Sequence, residues 1–151
     1  MPAMAAGVEA KTSVIARLYK EYAWEAIFDT AAAPSRNWKT LLDEKPEILV
    51  RFFDDALTRL IVEDRNCRQR THEICRLDYE PIWASQDPAA TDLRISPGQE
   101  PSMIVVAFGY PGDKRALEVT YRMSLTRRGW RIADVLGPGG LSLLATLSAR
   151  P

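Results

Sequence analysis

Residues 116–126 alternate between apolar and polar side chains, and this pattern limits the possible fold more than any other feature of the chain. The apolar face carries Leu117, Val119, Tyr121, Met123 and Leu125. The polar face carries Glu118, Thr120, Arg122 and Ser124. Because successive side chains of a strand point to opposite faces, the segment covers a core with one face and meets water with the other. A tight turn, Arg127-Arg128-Gly129, leads into a further strand containing Trp130 and Ile132, so the sequence predicts an antiparallel hairpin.

The rest of the second half predicts strands, turns and one short helix. Met103–Phe108 is an apolar run typical of a strand, and the turn cluster 109–113 follows it. Four prolines, at positions 81, 88, 97 and 101, predict a long irregular connection before that strand. The segment 137–140 contains three glycines and breaks the chain, and Leu141–Ala149 predicts a closing helix.

The first half has helical periodicity instead. Ser13–Thr30 shows apolar spacings of three, four and seven residues, with Ser13 as its cap and an end near Pro34. A broad apolar stripe predicts a second helix from Lys45 to Glu63, with Pro46 at its first position. Residues 65–76 are polar, and either a short helix or a loop fits them.

Helices first and an antiparallel meander after them define an α+β domain. We expect N-terminal helices to pack on one face of a curved antiparallel sheet, in a cone-like arrangement with a cavity at its wide end. The length of 151 residues fits one such domain, which we place at residues 12–149 after a flexible N-terminus of residues 1–11.

Composition excludes several classes of function. The chain has 20 Lys and Arg against 20 Asp and Glu, and zero net charge gives no reason to expect a nucleic-acid partner. With 2 Cys and 1 His, the four-ligand cysteine and histidine clusters of structural zinc sites cannot be assembled. We expect no metal and no cofactor, because no phosphate loop, dinucleotide fingerprint, nucleophile elbow or metal motif is present. The apolar stretches are shorter than the roughly 18–20 residues of a membrane span.

The N-terminal residues allow two interpretations. Residues 2–7 are small, and Ala3-Met4-Ala5 resembles the end of a secretory signal, although no basic start or apolar run precedes it. The segment is therefore either a frayed native terminus or the start of a mature exported chain with an added initiator Met.

Several of these features together resemble a known superfamily. The long first helix, the Tyr121–Leu125 type of strand and the final Gly-Trp-Arg-Ile-Ala-Asp-Val strand are similar to the nuclear-transport-factor-two-like superfamily. The stretch Asp78-Tyr79-Glu80-Pro81-Ile82-Trp83-Ala84-Ser85-Gln86-Asp87 resembles a bacterial family of unknown function within it. Many members of that family carry export signals. The superfamily includes isomerases, dehydratases, adaptors, immunity proteins and inhibitors, so the resemblance implies a fold and leaves the function open. The Tyr-Asp-His sets of its enzymes have no match here.

The segment 78–87 carries the first set of candidate site residues. Asp78, Gln86 and Asp87 lie among aromatic side chains, a composition typical of a cleft for a partner or ligand. The alternative is that both aspartates satisfy backbone N–H groups in a proline-rich loop. Trp83, like Trp38, is either an exposed interface residue or a packed one, and the sequence does not decide.

Arginines of the last two strands form the second set. If Arg122 and Arg131 share the outer face of the sheet, they make a basic stripe that would receive an acidic protein surface. The alternative is a solvated face. His72, the single histidine, has polar neighbours and is expected in solvent.

Cys67 and Cys75 are eight residues apart, too far for a redox motif. In an exported protein they would close a small loop with a disulfide, and in the cytosol they would be reduced thiols.

The function that we expect from these features is protein binding without catalysis. Its specific form is an exported, periplasmic immunity or inhibitor protein that blocks a secreted toxin or a cell-envelope enzyme. A cytoplasmic location is the alternative to export. A rival is a small-molecule carrier or enzyme in the cone cavity, with Asp78 or Asp87 as base and Tyr19 or Tyr121 as hydrogen-bond donor. A structural homodimer is the third alternative.

Overall fold

The computed structural model describes residues 9–27 and 39–149. Within these ranges the helices are α1 (Lys11–Tyr22), α2 (Trp24–Ile27), α3 (Pro46–Leu49), α4 (Asp55–Thr71) and α5 (Leu143–Ser148), with a 3-10 turn at Leu41–Asp43. The strands are β1 (Thr91–Pro97), β2 (Met103–Gly109), β3 (Ala116–Thr126) and β4 (Gly129–Leu136). The predicted α+β class, with N-terminal helices before an antiparallel sheet, is confirmed.

The four described strands form a meander in the order β1-β2-β3-β4, with every neighbouring pair antiparallel. The predicted alternation of β3 is confirmed at its centre, where Val119, Tyr121 and Met123 are buried. It fails at the end, because Leu125 pairs with Trp130 beside the β3–β4 turn and is mostly exposed. Trp130 is half-buried, with its ring beside the ammonium group of Lys11.

Helix α1 covers the core face of the sheet. Its buried residues are Val14, Ile15, Leu18, Tyr19 and Tyr22, which follow the helical spacing that the sequence shows. Two details of the prediction for this helix are wrong. The helix begins at Lys11 with Ala10 at the cap, so Ser13 does not cap it, and Ala23 separates it from α2. The predicted end of this helix near Pro34, and Trp38, lie outside the described residues.

The predicted helix Lys45–Glu63 is wrong as a single helix, since residues 50–54 interrupt it. Phe53 forms a bridge with Ile132 of β4, where the Ile132 N–H donates to the Phe52 carbonyl at 2.7 Å. The Asp54 N–H donates to the Ile132 carbonyl at 2.9 Å. This pairing satisfies the outer edge of β4 and buries two consecutive phenylalanines, which outweighs the local helical periodicity. Asp54 then caps α4 by accepting the Leu57 N–H at 2.8 Å.

Strand β1 lies inside the stretch that the prolines predicted to be irregular. Among the described strands it pairs with β2 alone, and only Leu93 and Ile95 of its seven residues are packed against the core. An edge strand of this kind tolerates proline at its end and shows little apolar signal. The closing helix is confirmed as α5, which buries Leu143 and Leu147. Among the described residues, no helix is long and apolar enough to cross a membrane.

Candidate functional site

The segment 78–87 forms a tight turn whose middle points into the core and whose ends face outward. The Glu80 N–H donates to the Ser85 carbonyl at 2.8 Å, and the Trp83 N–H donates to the Glu80 carbonyl at 3.1 Å. Ala84 takes a positive φ of 52°, which reverses the chain immediately after Trp83. The turn is therefore held by its own backbone and by the two residues that it inserts, Ile82 and Trp83, which are buried.

Trp83 belongs to the core, which decides between the two readings that the sequence left open. Its side chain is 2% exposed and contacts Tyr19 and Phe108 edge to face, with ring centroids 5.1 and 5.5 Å apart. The prediction that Trp83 contacts a partner directly is therefore wrong, because a buried indole offers no surface to it.

Asp78 and Gln86 come together in a shallow recess of about 210 Å³. The other residues that line this recess are Leu42, Arg68, Ile74, Leu77, Tyr79 and Glu80. Asp87 is exposed at the end of the turn, where its backbone N–H donates to the Ser85 hydroxyl at 3.0 Å. Neither the Asp78 nor the Asp87 carboxylate accepts a hydrogen bond from a described residue. The alternative in which both aspartates satisfy the loop backbone is thus not what these residues show.

The two cysteines form a disulfide that closes the loop after α4. Cys67 lies in the last part of the helix, and Cys75 follows the left-handed residue His72, whose N–H caps the helix by donating to the Arg68 carbonyl at 2.8 Å. His72 is exposed, as expected. Ile74 is held inside this closed loop with 68% of its side chain exposed. The bridge and the cap together fix the position of this isoleucine.

Ile74 stands between two depressions of the surface. It lines the recess that holds Asp78 and Gln86, and it lines a second recess of about 610 Å³ formed by Glu63, Asn66, Cys67, Arg70, Cys75 and Arg76. We name Ile74, Asp78 and Gln86, with these two recesses, the recognition surface. Sequence reasoning missed Ile74. The available signal was a single aliphatic residue in the otherwise polar segment between the cysteines.

Arg122 and Arg131 share the outer face of the sheet by register, because Arg131 pairs with Ser124, two residues after Arg122. Arg122 is exposed. Arg131 is half-buried and donates from Nε to the Val50 carbonyl and from Nη1 to the Trp130 carbonyl, both at 2.8 Å. Burial lowers the pKa of the Arg131 guanidinium, and the nearby Arg17 lowers it further.

The arginine face and the recognition surface are two separate places. A recess beside Arg131 is lined by Asp54, Asp55 and Ala56 at the start of α4, whereas Arg68 near the end of that helix lines the recess of Asp78. Arg68 is 14 positions after Asp54, the cap of this helix, which corresponds to about 20 Å along the axis. The structure therefore does not bring the two predicted sets of site residues together.

A buried carboxylate lies beneath the recognition surface. Glu25 of α2 is 7% exposed and accepts hydrogen bonds from the Leu41 N–H at 2.8 Å and from the Trp83 indole N–H at 3.4 Å. Among the described residues it has no cation within 4.0 Å. Burial raises the pKa of Glu25 to about 7, against the two hydrogen bonds, which lower it. Nothing in the local sequence distinguished this glutamate from an ordinary helical one.

Glu80 is the neighbour of Glu25 that reaches the surface. Burial raises its pKa, the Asp43 carboxylate raises it further, and Arg68 opposes the shift. Glu80 also raises the pKa of Glu25 through the repulsion of the two negative charges. The negative charge of Glu80 in the recess therefore disfavours a negative charge on Glu25.

The residues predicted for the alternative function, a small-molecule enzyme, do not lie together. The Tyr19 and Tyr121 hydroxyls are buried and hydrogen-bonded to each other at 2.7 Å, while Asp78 and Asp87 are exposed. A base at the surface cannot act with a donor that is enclosed in the core. Within the described ranges, no group of three or more His, Cys, Asp or Glu side chains is placed to hold a metal ion.

Neither a scan against protein-family models nor searches of curated proteins and of solved structures found a match to this chain. The resemblance of residues 78–87 and of the last strand to a superfamily, and the cone-like shape that it implies, therefore stay predictions.

Proposed function

We propose that this protein is a non-catalytic binding module that recognises another protein through the recognition surface. The observation that carries the proposal is the placement of Ile74, which is 68% exposed on a disulfide-closed loop between two recesses. We expect the partner to be a folded protein with an apolar pocket for Ile74 and a Lys or Arg beside it. The basic group would pair with the Asp78 carboxylate, which has no partner of its own in the described chain.

The energetics of this surface support binding. Moving an isoleucine side chain from water into an apolar pocket contributes roughly 1.5–3 kcal/mol. A loop that the disulfide already holds in place loses little conformational freedom on association, so more of that free energy appears as affinity. A charge-assisted hydrogen bond to Asp78 would add orientation, because it is shorter and stronger than a neutral one.

The specific form that we favour is an exported inhibitor or immunity protein that blocks a secreted toxin or a cell-envelope enzyme. A disulfide persists in oxidising compartments, which supports export. A preformed surface that projects one apolar side chain suits insertion into the active-site cleft of another protein. The arginine face at the other end of α4 is left for a separate contact or for solvent.

Site-specific photocrosslinking tests this proposal. A photoreactive amino acid would replace Ile74 in one variant and Leu141, which is 50% exposed and lies outside both recesses, in a control. In the cells that make the protein, we expect a crosslinked product of one size from position 74 and none from position 141. Asp78→Arg should remove that product.

Reconstitution with the captured protein decides whether the contact is specific. We expect Ile74→Asp to raise the dissociation constant at least about tenfold, which corresponds to a loss of about 1.4 kcal/mol in binding free energy. Leu141→Asp should change it less than twofold. Equal products from both positions, no product from position 74, or a product that is only a second copy of this chain would each overturn the proposal.

A further inference from the structure

Glu25 connects the core to the recognition surface through two hydrogen bonds. Its carboxylate accepts the indole N–H of Trp83, which belongs to the turn that carries Asp78 and Gln86 at its ends. It also accepts the N–H of Leu41, and the next residue, Leu42, lines the recess of Asp78. A change at Glu25 therefore acts on two walls of that recess.

The groups that face Glu25 do not favour its negative charge. Glu80 of the turn and Asp43 of the 3-10 turn are acidic, and their charges act against the charge of Glu25. A negative charge on Glu25 raises the pKa of three tyrosines on α1 and β3. These are Tyr19, Tyr22 and Tyr121, which are buried and neutral. Arg68 acts on Glu80 and forms its ion pair with Asp64. No cation among the described residues compensates Glu25.

An uncompensated buried charge is unstable, so a group in this position either takes up a proton or moves toward water. We propose that Glu25 is a pH-sensitive latch: neutral Glu25 stays buried beneath the closed 80–85 turn. Ionised Glu25 moves toward water, although its charge strengthens the hydrogen bond from the Trp83 indole, and so loosens that turn and the recognition surface above it. The device rests on the proposed function for its purpose, but its action is a property of the chain alone. The raised pKa of Glu25 places the change near neutral pH.

Nuclear magnetic resonance of the isolated protein tests the latch without any partner. The indole N–H signal of Trp83 is assigned by its absence from Trp83→Phe and is followed from acidic to alkaline pH. All measurements use a His72→Asn background, which removes the one histidine and suits the left-handed conformation of that residue. We expect the Trp83 signal to titrate with a midpoint of about 7, and to stay constant in Glu25→Gln.

Hydrogen exchange of the turn gives the second readout. The amide protons of Glu80 and Trp83 are bonded within the turn, so their protection reports its closure. We expect protection to fall about tenfold from one pH unit below the midpoint to one above it, the size of a one-unit linkage effect. It should stay level in Glu25→Gln, whose amide is isosteric with the protonated acid. A surface control, Glu118→Gln on the exposed face of β3, should behave like the parent.

The outcomes separate the latch from the proposed function. A Trp83 signal that does not titrate, or that titrates equally in Glu25→Gln, overturns the latch even if position 74 crosslinks to a partner. A titrating signal with no product from position 74 supports the latch and overturns the binding function. With both present, the yield of product from position 74 should fall above the midpoint, and a yield independent of pH would overturn the regulatory role.

Discussion

The Tyr19 hydroxyl on α1 lies 2.7 Å from the Tyr121 hydroxyl on β3, inside the core. Tyr19 donates its single proton to the Ile82 carbonyl at 2.6 Å, so Tyr121 is the donor in the tyrosine pair. Burial raises the pKa of both tyrosines, which therefore stay protonated and keep this direction. One hydroxyl thus joins the first helix, the central hairpin and the 78–87 turn.

Removing the Tyr19 hydroxyl should destabilise the protein more than removing the Tyr121 hydroxyl. Tyr19→Phe leaves two buried partners, the Ile82 carbonyl and the Tyr121 hydroxyl, without their hydrogen bonds, at a cost of about 1–3 kcal/mol each before relaxation. Tyr121→Phe leaves Tyr19 its bond to Ile82. We expect free energies of unfolding lower by about 3 and 1 kcal/mol, respectively, measured by urea denaturation.

The double variant provides the control for that comparison. Because Tyr121 donates to Tyr19, the two substitutions should be less than additive when combined. Additive effects would contradict the hydrogen bond between the two tyrosines, and a larger loss from Tyr121→Phe would contradict its assigned direction.

The disulfide should contribute to stability mainly by restricting the unfolded chain. Cys67 and Cys75 are separated by eight residues, and closing so short a loop is worth about 2.5 kcal/mol in the chain-entropy estimate. Reduction should lower the free energy of unfolding by that amount. Urea denaturation with and without a reductant measures it, and the Cys67→Ala/Cys75→Ala variant should match the reduced protein.

Thiol titration checks the premise of that experiment. The oxidised protein, unfolded in denaturant without a reductant, should react as a chain with no free thiol. Two reactive thiols would show that the bridge does not form, and reduction would then leave the stability unchanged.

The sequence and the structure agree where the pattern is local. The strands β2, β3 and β4 follow from their apolar pattern and from the turn at Gly129, because period and turn chemistry are properties of neighbouring residues. The interruption at residues 50–54 follows no local rule. Their apolar spacing fits a helix, but residues 50–52 form a turn and Phe53 forms a bridge with Ile132, 79 residues away.

The candidate site shows the same division. Asp78 and Gln86 line one recess because the turn between them is short. The composition of residues 78–87 predicts such a shared site. Trp83 is an aromatic in a loop-like segment, and its burial depends on α1 and β2, which the loop itself does not reveal. Glu25 carries no pattern in the sequence, and the signal for Ile74 is one aliphatic residue in a polar segment. Glu25 stands out because it is buried without a cation among the described residues, and Ile74 because it is exposed on a disulfide-closed loop.

Glu25 should make the global stability depend on pH. Its pKa is about 7 in the folded protein and near 4.5 in the unfolded chain, so the folded state binds more protons between these values. Stability should therefore fall as pH rises through this window and level off above it. At about 1.4 kcal/mol per pKa unit, the loss is about 3 kcal/mol.

The comparison with Glu25→Gln isolates that contribution. The difference in the free energy of unfolding between the variant and the parent should grow by about 3 kcal/mol in favour of the variant from pH 4.5 to above 7. Urea denaturation at a series of pH values measures this difference. A constant difference, or one that grows in the acidic direction, would show that the carboxyl is not held neutral.

Asp134 is a buried carboxylate on β4, and its hydrogen bonds define a structural role. It is 3% exposed and accepts hydrogen bonds from the Val135 N–H at 2.8 Å, the Leu144 N–H at 2.9 Å and the Ser142 hydroxyl at 2.6 Å. The carboxylate therefore holds the start of α5 against β4, where Ser142 caps the helix.

Asp134→Ala should consequently lower the free energy of unfolding by about 2–4 kcal/mol, because two N–H groups and a hydroxyl lose their acceptor. Asp134→Asn keeps one oxygen for the two N–H groups, and Ser142 can reverse its hydroxyl to accept the new amide. Its loss should be about 1 kcal/mol, similar to that of Ser142→Ala, which removes the cap. Urea denaturation of the three variants gives the order. If Asp134→Ala lost no more stability than Asp134→Asn, the hydrogen bonds of Asp134 to α5 would not stabilise the fold. That result would contradict the structural role of the carboxylate.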